Sequence, residues 1–152
     1  MAVRIQTDPF DPGQELNAFL LGSDSAGGAV TFTGLVRSDP HDPITTLTLE
    51  CYVDLARNQI AAMEAEAIAR FGLMRISVIH RYGRLAPGEP IVQVMTLAAH
   101  RGAAFEAAEF LMDYLKTDAP FWKKETTAKG ERWVEHNPDD DRAQSRWRIE
   151  TR

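Results

Sequence analysis

The segment between His100 and Pro120 constrains the fold more than any other stretch of the chain. Apolar residues recur in it at three- and four-residue steps, the spacing that places side chains on one face of an α-helix. These residues are Phe105, Ala108, Leu111, Met112 and Leu115. Because the residue before a proline is disfavoured in the α region, Pro120 is expected to end the helix. A helix with this stripe must pack against an apolar surface, which the rest of the chain has to supply.

Alternating apolar and polar residues predict the strands of that surface. The predicted strands cover residues 3–6, 29–37, 44–52, 74–82 and 91–99. Helices are expected over residues 14–21 and 55–71, and Gly72 is expected to end the second of them. This order of elements predicts an α+β fold, a sandwich in which the helices lie on one side of a mainly antiparallel sheet.

Two pairs of strands are expected to form hairpins. The turn-rich stretch 38–43 separates residues 29–37 from residues 44–52, which predicts a long antiparallel hairpin. Residues 121–125 and 131–135 flank a shorter turn and predict a second, small hairpin. The sandwich is therefore expected to carry a small additional antiparallel β subdomain.

The length of 152 residues fits one domain covering residues 1–152, with a core large enough to need no crosslinks. The tail, residues 137–152, is polar and charged. It lacks an apolar periodicity, so we expect it to be irregular or to depend on a partner for its structure.

Composition excludes several classes of function. The formal net charge of −5 argues against binding nucleic acid through a basic surface, and no apolar run is long enough to span a membrane. The beginning of the chain lacks the apolar core of a signal peptide, and a single cysteine cannot form an internal disulfide, so we expect a cytoplasmic protein. No phosphate loop, dinucleotide fingerprint or zinc-ligand spacing is present, and we expect neither a cofactor nor a metal.

His100 and Arg101 precede the predicted helix and are candidates for binding an anion. The backbone N–H groups at a helix start and a planar guanidinium together suit a phosphate group. Arg37 would complete this cradle if its strand lies beside the helix start. The alternative for Arg101 is an ordinary exposed arginine, which is common on protein surfaces.

Lys116 and Lys123 are candidates for chemistry. Lys116 lies in the last turn of the helix, where a cation is also favoured simply by the helix dipole. Lys123 and Lys124 are neighbours on an extended segment, so only one of them can share a pocket with Lys116. Two ammonium groups that are close together and partly shielded from water have lowered pKa values, which suits proton transfer or nucleophilic attack.

Three other candidates are better explained by structure. Cys51 shares a strand face with leucines and is expected in the core, and His80 alternates with apolar residues and is expected to be a core or edge histidine. His41, with Asp39 and Asp42, stands on a proline-rich turn, and one histidine on such a turn is a weak metal signal.

Four segments resemble one family. They are residues 29–37 (AVTFTGLVR), 78–85 (VIHRYGRL), 99–101 (AHR) and 112–125 (MDYLKTDAPFWKKE). In this order they are similar to the catalytic large subunit of molybdopterin synthase, and the resemblance extends from about Ala29 to Glu135. It implies an α/β hammerhead-type fold with the added β subdomain, a homodimer of large subunits, and a small subunit at each end, giving a heterotetramer.

The resemblance also implies an activity. The small partner is a ubiquitin-like sulfur carrier whose C-terminal Gly-Gly thiocarboxylate enters the active site. The substrate is cyclic pyranopterin monophosphate, and two sulfurs from the carrier convert it to the dithiolene of molybdopterin. A sulfurtransferase of this kind needs no reactive cysteine of its own.

The family's functional residues transfer onto matching positions of this chain. The resemblance makes Lys116 the central catalytic residue and Lys123 a second one. Around them, the residues implied to bind substrate are Arg37, His100, Arg101, Phe32 and Met112. Where the family commonly has an arginine shortly after Trp-Val-Glu, this chain has His136, which leaves any phosphate contact from that position in question.

Two other functions are compatible with parts of the pattern. A non-catalytic module would use the same cationic groove to bind a ubiquitin-like tail or a small phosphorylated ligand. An RNA-binding α+β domain is disfavoured by the negative charge and by the lack of an aromatic sheet motif.

Overall fold

The computed structural model describes residues 2–135 and 138–150, which form eight strands and four helices. The strands are β1 (Ala2–Gln6), β2 (Gly28–Leu35), β3 (Thr46–Cys51), β4 (Arg75–Arg81), β5 (Gly83–Leu85), β6 (Pro90–Ala98), β7 (Phe121–Thr127) and β8 (Gly130–Val134). The helices are α1 (Pro12–Phe19), α2 (Val53–Phe71), α3 (Arg101–Thr117) and α4 (Pro138–Glu150). None of the described helices is both long and apolar enough to cross a bilayer.

The first sheet has the strand order β1-β4-β6-β2 and forms the centre of the molecule. β1 runs parallel to β4, and the other pairs are antiparallel. Residues of β4 and β6 are buried on both faces of the sheet, because α2 and α3 cover one face and α1 covers the other. Phe19 of α1 packs on the second face against Ile79, Met95 and Leu97. The expectation of helices on one side only is therefore wrong for α1.

The second sheet is smaller and entirely antiparallel, with the order β5-β3-β7-β8. The chain passes from β4 in the first sheet to β5 in the second at Gly83, whose φ of 88° is accessible to glycine at little cost. The α+β class with an additional antiparallel β unit is confirmed, and β7 and β8 form the predicted small hairpin.

The long hairpin predicted from residues 29–37 and 44–52 does not form. β2 pairs with β6 in the first sheet, whereas β3 pairs with β5 and β7 in the second. Alternation along a strand shows which side chains share a face, but it does not identify the neighbouring strand. β6 is buried on both faces, so its backbone groups need a partner strand on each edge, and β4 and β2 take these two positions.

The buried face of α3 differs from the expected apolar stripe. Phe105 is 60% exposed, while Ala104, Ala107 and Tyr114 are buried in its place. Small alanine side chains let the helix lie close to the sheet, and Thr96 of β6 donates a hydrogen bond to the Ala104 carbonyl at 2.8 Å.

The tail is helical where the structure describes it, so the expectation of an irregular tail is wrong for residues 138–150. Trp147 of α4 is buried between α2 and α3, with ring centroids 5.8 Å from Phe71 and 5.5 Å from Phe110. The Arg70 guanidinium lies 5.3 Å from the centroid of the Trp147 ring. One buried aromatic residue in a polar segment produces no periodic pattern, which is why the sequence did not predict this helix.

Candidate active site

An open pocket of about 1060 Å³ lies where α3 ends and β7 begins. Its walls combine aromatic and apolar side chains with a few charged ones. The lining residues are His80, Ile91, Val92, Met112, Leu115, Lys116, Thr117, Asp118, Ala119, Pro120, Phe121, Trp122, Lys123, Trp133, Val134, Glu135 and Asp140. The pocket lies between the two sheets, because its lining takes residues from β4 and β6 of the first sheet and from β7 and β8 of the second.

Lys116 and Lys123 both line this pocket, and Lys124 does not, in line with the expectation that only one of the two neighbouring lysines shares a pocket with Lys116. Burial lowers the pKa of Lys123, and the positive charge of Lys116 lowers it further. The carboxylates of Asp140 and Glu125 act in the opposite direction. Lys124, the neighbour on the other face of β7, forms an ion pair with Glu131 at 3.2 Å. The two pocket lysines therefore form a coupled cationic pair in which Lys123 gives up its proton more readily than a solvated lysine does.

His80, which the sequence predicted to be a core or edge histidine, also belongs to the pocket. It is 6% exposed, as expected for a core histidine, but its ring also lines the pocket. The ring is stacked on Phe121 with centroids 3.9 Å apart, and Nδ1 lies 2.8 Å from the Arg81 carbonyl oxygen. Burial lowers the pKa of His80 to about 4, and the charges of Lys123 and Lys116 contribute to this lowering. His80 is therefore neutral at physiological pH.

Asp140 is the second residue that the sequence did not identify. It comes from the first turn of α4, the helix anchored by Trp147, and it lines the pocket beside the lysines. No local signal in the polar tail indicated that this carboxylate returns to the end of α3. His136 lies outside the described residues.

Met112 lines the pocket, and Phe32 lies beside the pocket wall without lining it. Gly34 leaves the space between Phe32 and Val92 of the wall free of a side chain. A Cβ built on Gly34 would lie 2.6 Å from Val92 Cγ1 and 3.5 Å from a carbon of the Phe32 ring. Any other residue at position 34 would displace this wall. Phe32 is 43% exposed, so much of its ring is open to a ligand or another chain.

The three residues of the predicted anion cradle do not lie together within one chain. Arg37 follows β2 at the pocket end of the sheet, because the neighbouring Val36 exchanges backbone hydrogen bonds with Gly88 and Glu89, just before Ile91 of the pocket. His100 and Arg101 lie at the start of α3, and the α3 rise of about 1.5 Å per residue separates Arg101 from Lys116 by roughly 22 Å. The expectation that Arg37 completes a cradle with these two residues is therefore wrong for a single copy of the chain.

The remaining candidates have structural contacts. Cys51 packs against the core, and burial raises the pKa of its thiol. Asp42 forms an ion pair with Arg132 at 2.7 Å, and Asp39 accepts a hydrogen bond from the His41 backbone N–H at 2.9 Å. In the part of the chain that the structure describes, no three His, Cys, Asp or Glu side chains come together as a metal site would require.

Comparison with known proteins identifies the family. The MoaE protein family matches residues 5–118. A molybdopterin synthase catalytic subunit from Cereibacter sphaeroides is 50% identical over 147 residues, which is 97% of this chain and 100% of the relative. The corresponding subunit from Pseudomonas aeruginosa is also 50% identical, over 97% of this chain and 99% of the relative. The chain belongs to the MoaE family of molybdopterin synthase catalytic subunits.

Solved structures similar to this MoaE chain have the same fold. A molybdopterin biosynthesis MoaE protein from Burkholderia ambifaria superposes with a TM-score of 0.82 at 45% identity, covering 97% of this chain and 98% of that chain. A molybdopterin synthase structure from Staphylococcus aureus gives a TM-score of 0.80 at 27% identity, covering 88% and 96%.

The pocket is covered fully by the curated relatives and only in part by the family match. The MoaE family match ends at Asp118, after Lys116 but before Lys123. The two curated relatives continue across nearly the full chain, so the second sheet belongs to the shared architecture. The family predicted from the sequence segments is thereby confirmed, and its members are enzymes.

Proposed function

We propose that this MoaE chain is the sulfurtransferase subunit that converts cyclic pyranopterin monophosphate to molybdopterin. The sulfur comes from the C-terminal Gly-Gly thiocarboxylate of a ubiquitin-like small subunit. The observation that carries the proposal is the convergence of Lys116 and Lys123, from different elements, in one pocket large enough for a peptide tail and a small substrate.

The two lysines suit reaction between anions. A thiocarboxylate and a phosphorylated substrate repel each other in water, and neighbouring ammonium groups in a partly shielded pocket offset that repulsion and fix the reacting atoms. Lys116 attracts the thiocarboxylate and assists proton transfer as its sulfur bonds to a side-chain carbon of the pterin and an oxygen of that carbon leaves as water. Water then cleaves the acyl–sulfur bond, which leaves the sulfur on the pterin and a carboxylate on the small subunit. Lys123 supplies the second charge, and its lowered pKa makes proton donation easier than from a solvated lysine.

The state of the cysteine supports an external sulfur source. Sulfur transfer through a protein cysteine requires an accessible thiolate. Cys51 is partly buried against the core, and the raised pKa of its thiol disfavours the thiolate. Sulfur that arrives already activated on a partner avoids this requirement.

The second sheet offers a docking edge for the small partner. β8 is an edge strand with all of its residues exposed, and its Trp133 and Val134 also line the pocket. An exposed strand edge binds extended peptides through backbone hydrogen bonds, and exposed tryptophans supply apolar contact area. A tail bound along this edge has a direct path to Lys123.

A second copy of the chain would bring the residues of the anion cradle together. β2 is the other edge of the first sheet, with Phe32 43% and Leu35 58% exposed, and apolar edge strands tend to pair with another chain. Antiparallel pairing of two β2 strands about a two-fold axis would set Gly28 of one copy opposite Leu35 of the other. A Cβ on Gly28 would lie 3.8 Å from the Cα of Arg101, so His100 and Arg101 of one copy would come beside Arg37 of the other. These residues then bind the substrate phosphate.

Reconstitution tests the reaction. The purified chain, mixed with thiocarboxylated small subunit and cyclic pyranopterin monophosphate, is expected to form the dithiolene product. Lys116→Ala should reduce product formation by at least about 100-fold, the effect expected when a charge-stabilising group is removed, while binding of the small subunit stays measurable. Lys129→Ala, in the exposed turn between β7 and β8, is the matched control. Undiminished product from Lys116→Ala would exclude the proposed role.

Mixing two inactive variants tests the shared site. In a dimer of Lys116→Ala with Arg101→Ala, one of the two sites retains both residues if they come from different copies. An equal mixture should therefore regain about a quarter of the wild-type rate, because half of the dimers are mixed and each has one intact site. No regain would place both residues in the same copy.

A further inference from the structure

His80 is the one imidazole among the described residues that lines the lysine pocket, and the proposed reaction gives it no role. Its environment is defined from three sides. Phe121 is stacked on the ring at an angle of 14°, the Arg81 carbonyl faces Nδ1, and the charges of Lys116 and Lys123 act on it from the pocket. Such a restrained ring can present a hydrogen-bonding atom in one direction only.

The hydrogen bond to Arg81 determines which nitrogen carries the proton. A carbonyl oxygen accepts, so Nδ1 must donate at the observed 2.8 Å. A neutral imidazole carries one proton, and Nε2, on the opposite side of the ring, is therefore an acceptor with a free lone pair. Protonation of Nε2 would place a third positive charge beside two lysines in a buried position, which the surroundings disfavour.

We propose that Nε2 of His80 is a ligand-binding acceptor: it receives a hydrogen bond from an N–H group of the molecule bound beside Lys116 and Lys123. The lysines bind anionic groups without regard to the rest of the ligand, because an ammonium only donates. A neutral acceptor next to them selects a ligand that carries an anionic group and an N–H donor a short distance apart. Both proposed ligands have this chemistry, the peptide N–H groups of the Gly-Gly tail and the ring N–H groups of the pterin.

The charged groups around the acceptor are consistent with this division of roles. Lys116 of α3 and Lys123 of β7 are cationic, while Asp140 of α4 and Glu125 of β7 act on Lys123 as anions. Asp118 and Glu135 also line the pocket. Carboxylates accept hydrogen bonds as well, but they would repel the anionic group of the ligand. His80 is an acceptor without that penalty.

Nitrogen NMR of the free protein tests the state of the ring without any ligand. In protein labelled with ¹⁵N-histidine, the His80 resonances, assigned by their loss in His80→Gln, should show the Nδ1–H tautomer from pH 5.5 to 8.5. His41, which is exposed, serves as the internal comparison. An Nε2–H tautomer, or protonation of His80 within this range, would overturn the proposal.

Binding measurements test the role of the acceptor. His80→Phe keeps an aromatic ring against Phe121 but lacks Nε2, whereas the side-chain oxygen of His80→Gln can replace the acceptor. We expect His80→Phe to weaken one ligand by about five- to tenfold, the effect of one lost neutral hydrogen bond, and His80→Gln to restore most of it. The two ligands, measured separately, are the unmodified small subunit ending in Gly-Gly and cyclic pyranopterin monophosphate.

Each result has a definite meaning. If His80→Phe binds the small subunit more weakly and His80→Gln regains the affinity, the hydrogen bond is assigned to the tail. The same result for the pterin assigns the hydrogen bond to the substrate. Unchanged affinity for both ligands, or a loss that glutamine does not restore, overturns the inference. This inference rests on the proposed function for its ligands, but separate experiments test the inference and the function. Absence of product in reconstitution with the expected NMR result would refute the function alone.

Discussion

Lys116 and Lys123 line one pocket, and the charge of Lys116 lowers the pKa of Lys123. The two lysines come from different elements, α3 and β7, which are separated in the sequence by a connection that contains Pro120. This coupling makes the two side chains one functional unit. A change to either lysine, or to an anion near them, should therefore alter the protonation of the other.

Replacing Lys116 with methionine should raise the pKa of Lys123. The substitution keeps the length and apolar stem of the side chain but removes the positive charge that disfavours a second ammonium. Competitive labelling of amines across a range of pH, with mass spectrometry of the peptide that contains Lys123, measures the midpoint directly. Lys129 in the same samples should keep its midpoint. An unchanged midpoint for Lys123 would mean that the two lysines are not coupled in solution.

Asp140→Asn should change the pKa of Lys123 in the opposite direction. The carboxylate raises that pKa, so its removal should move the labelling midpoint to lower pH. The alkaline limit of activity should move to lower pH as well if the ammonium form of Lys123 is required. Asp141→Asn is the matched control, since it removes the same charge from the same turn of α4 without belonging to the pocket. Equal effects of both variants would contradict a specific role for Asp140.

Trp147→Ala should release α4 from the aromatic cluster. The buried ring contacts Phe71 and Phe110, and truncating a buried tryptophan typically costs about 3–5 kcal/mol of stability. Urea unfolding measures the loss, and the Lys123 midpoint should fall as it does in Asp140→Asn because the helix no longer holds that carboxylate in place. Trp133→Ala, at a 58% exposed position, should leave stability nearly unchanged. A stable Trp147→Ala protein would show that the cluster does not anchor the helix.

Glu64 should make the protein less stable as pH rises. Its side chain is fully buried, neither carboxylate oxygen has a hydrogen-bond partner among the described residues, and burial raises its pKa from 4.5 to about 8. Between these two values the folded state retains a proton that the unfolded chain has lost, so the free energy of unfolding falls as pH increases. Urea titrations at pH 5.5 and pH 8 should show this decrease.

Variants at position 64 isolate the contribution of that carboxyl group. Glu64→Gln cannot ionise, so its stability should depend less on pH than that of the wild type between pH 5.5 and 8. Glu66→Gln, an exposed position on the same helix, should follow the wild type. The same pH dependence in wild type and Glu64→Gln would assign the effect to other groups.

Much of the site was predictable because its signals are local. Pro120 fixed the end of a helix and the beginning of an extended segment, which placed Lys116 and Lys123 on successive elements close to each other. The arrangement of Lys123 and Lys124 on opposite faces of a strand also follows from local geometry. Met112 lies one turn before Lys116 on the same helix and reaches the same pocket.

Several of the errors concern contacts between distant segments. The alternation in residues 29–37 was correct, but nothing in it identified β6 as the partner strand. His80 had the pattern of a core residue and is buried, yet its position at the end of β4 opens one side of its ring to the pocket. Arg101 lies beside Gly28 at the start of β2, whereas Arg37 follows the end of β2. The strand between them spans roughly 25 Å at about 3.3 Å per residue.

The sequence by itself determined the class of fold, the family and the two lysines, since helix ends, strand alternation and short motifs depend on residues that are near each other in the chain. Only the tertiary structure decided that His80 and Asp140 join those lysines and that Arg37 and Arg101 do not meet within one copy. The physical reason is that strand pairing and helix docking are selected by the total apolar area they bury, a quantity that no single segment contains.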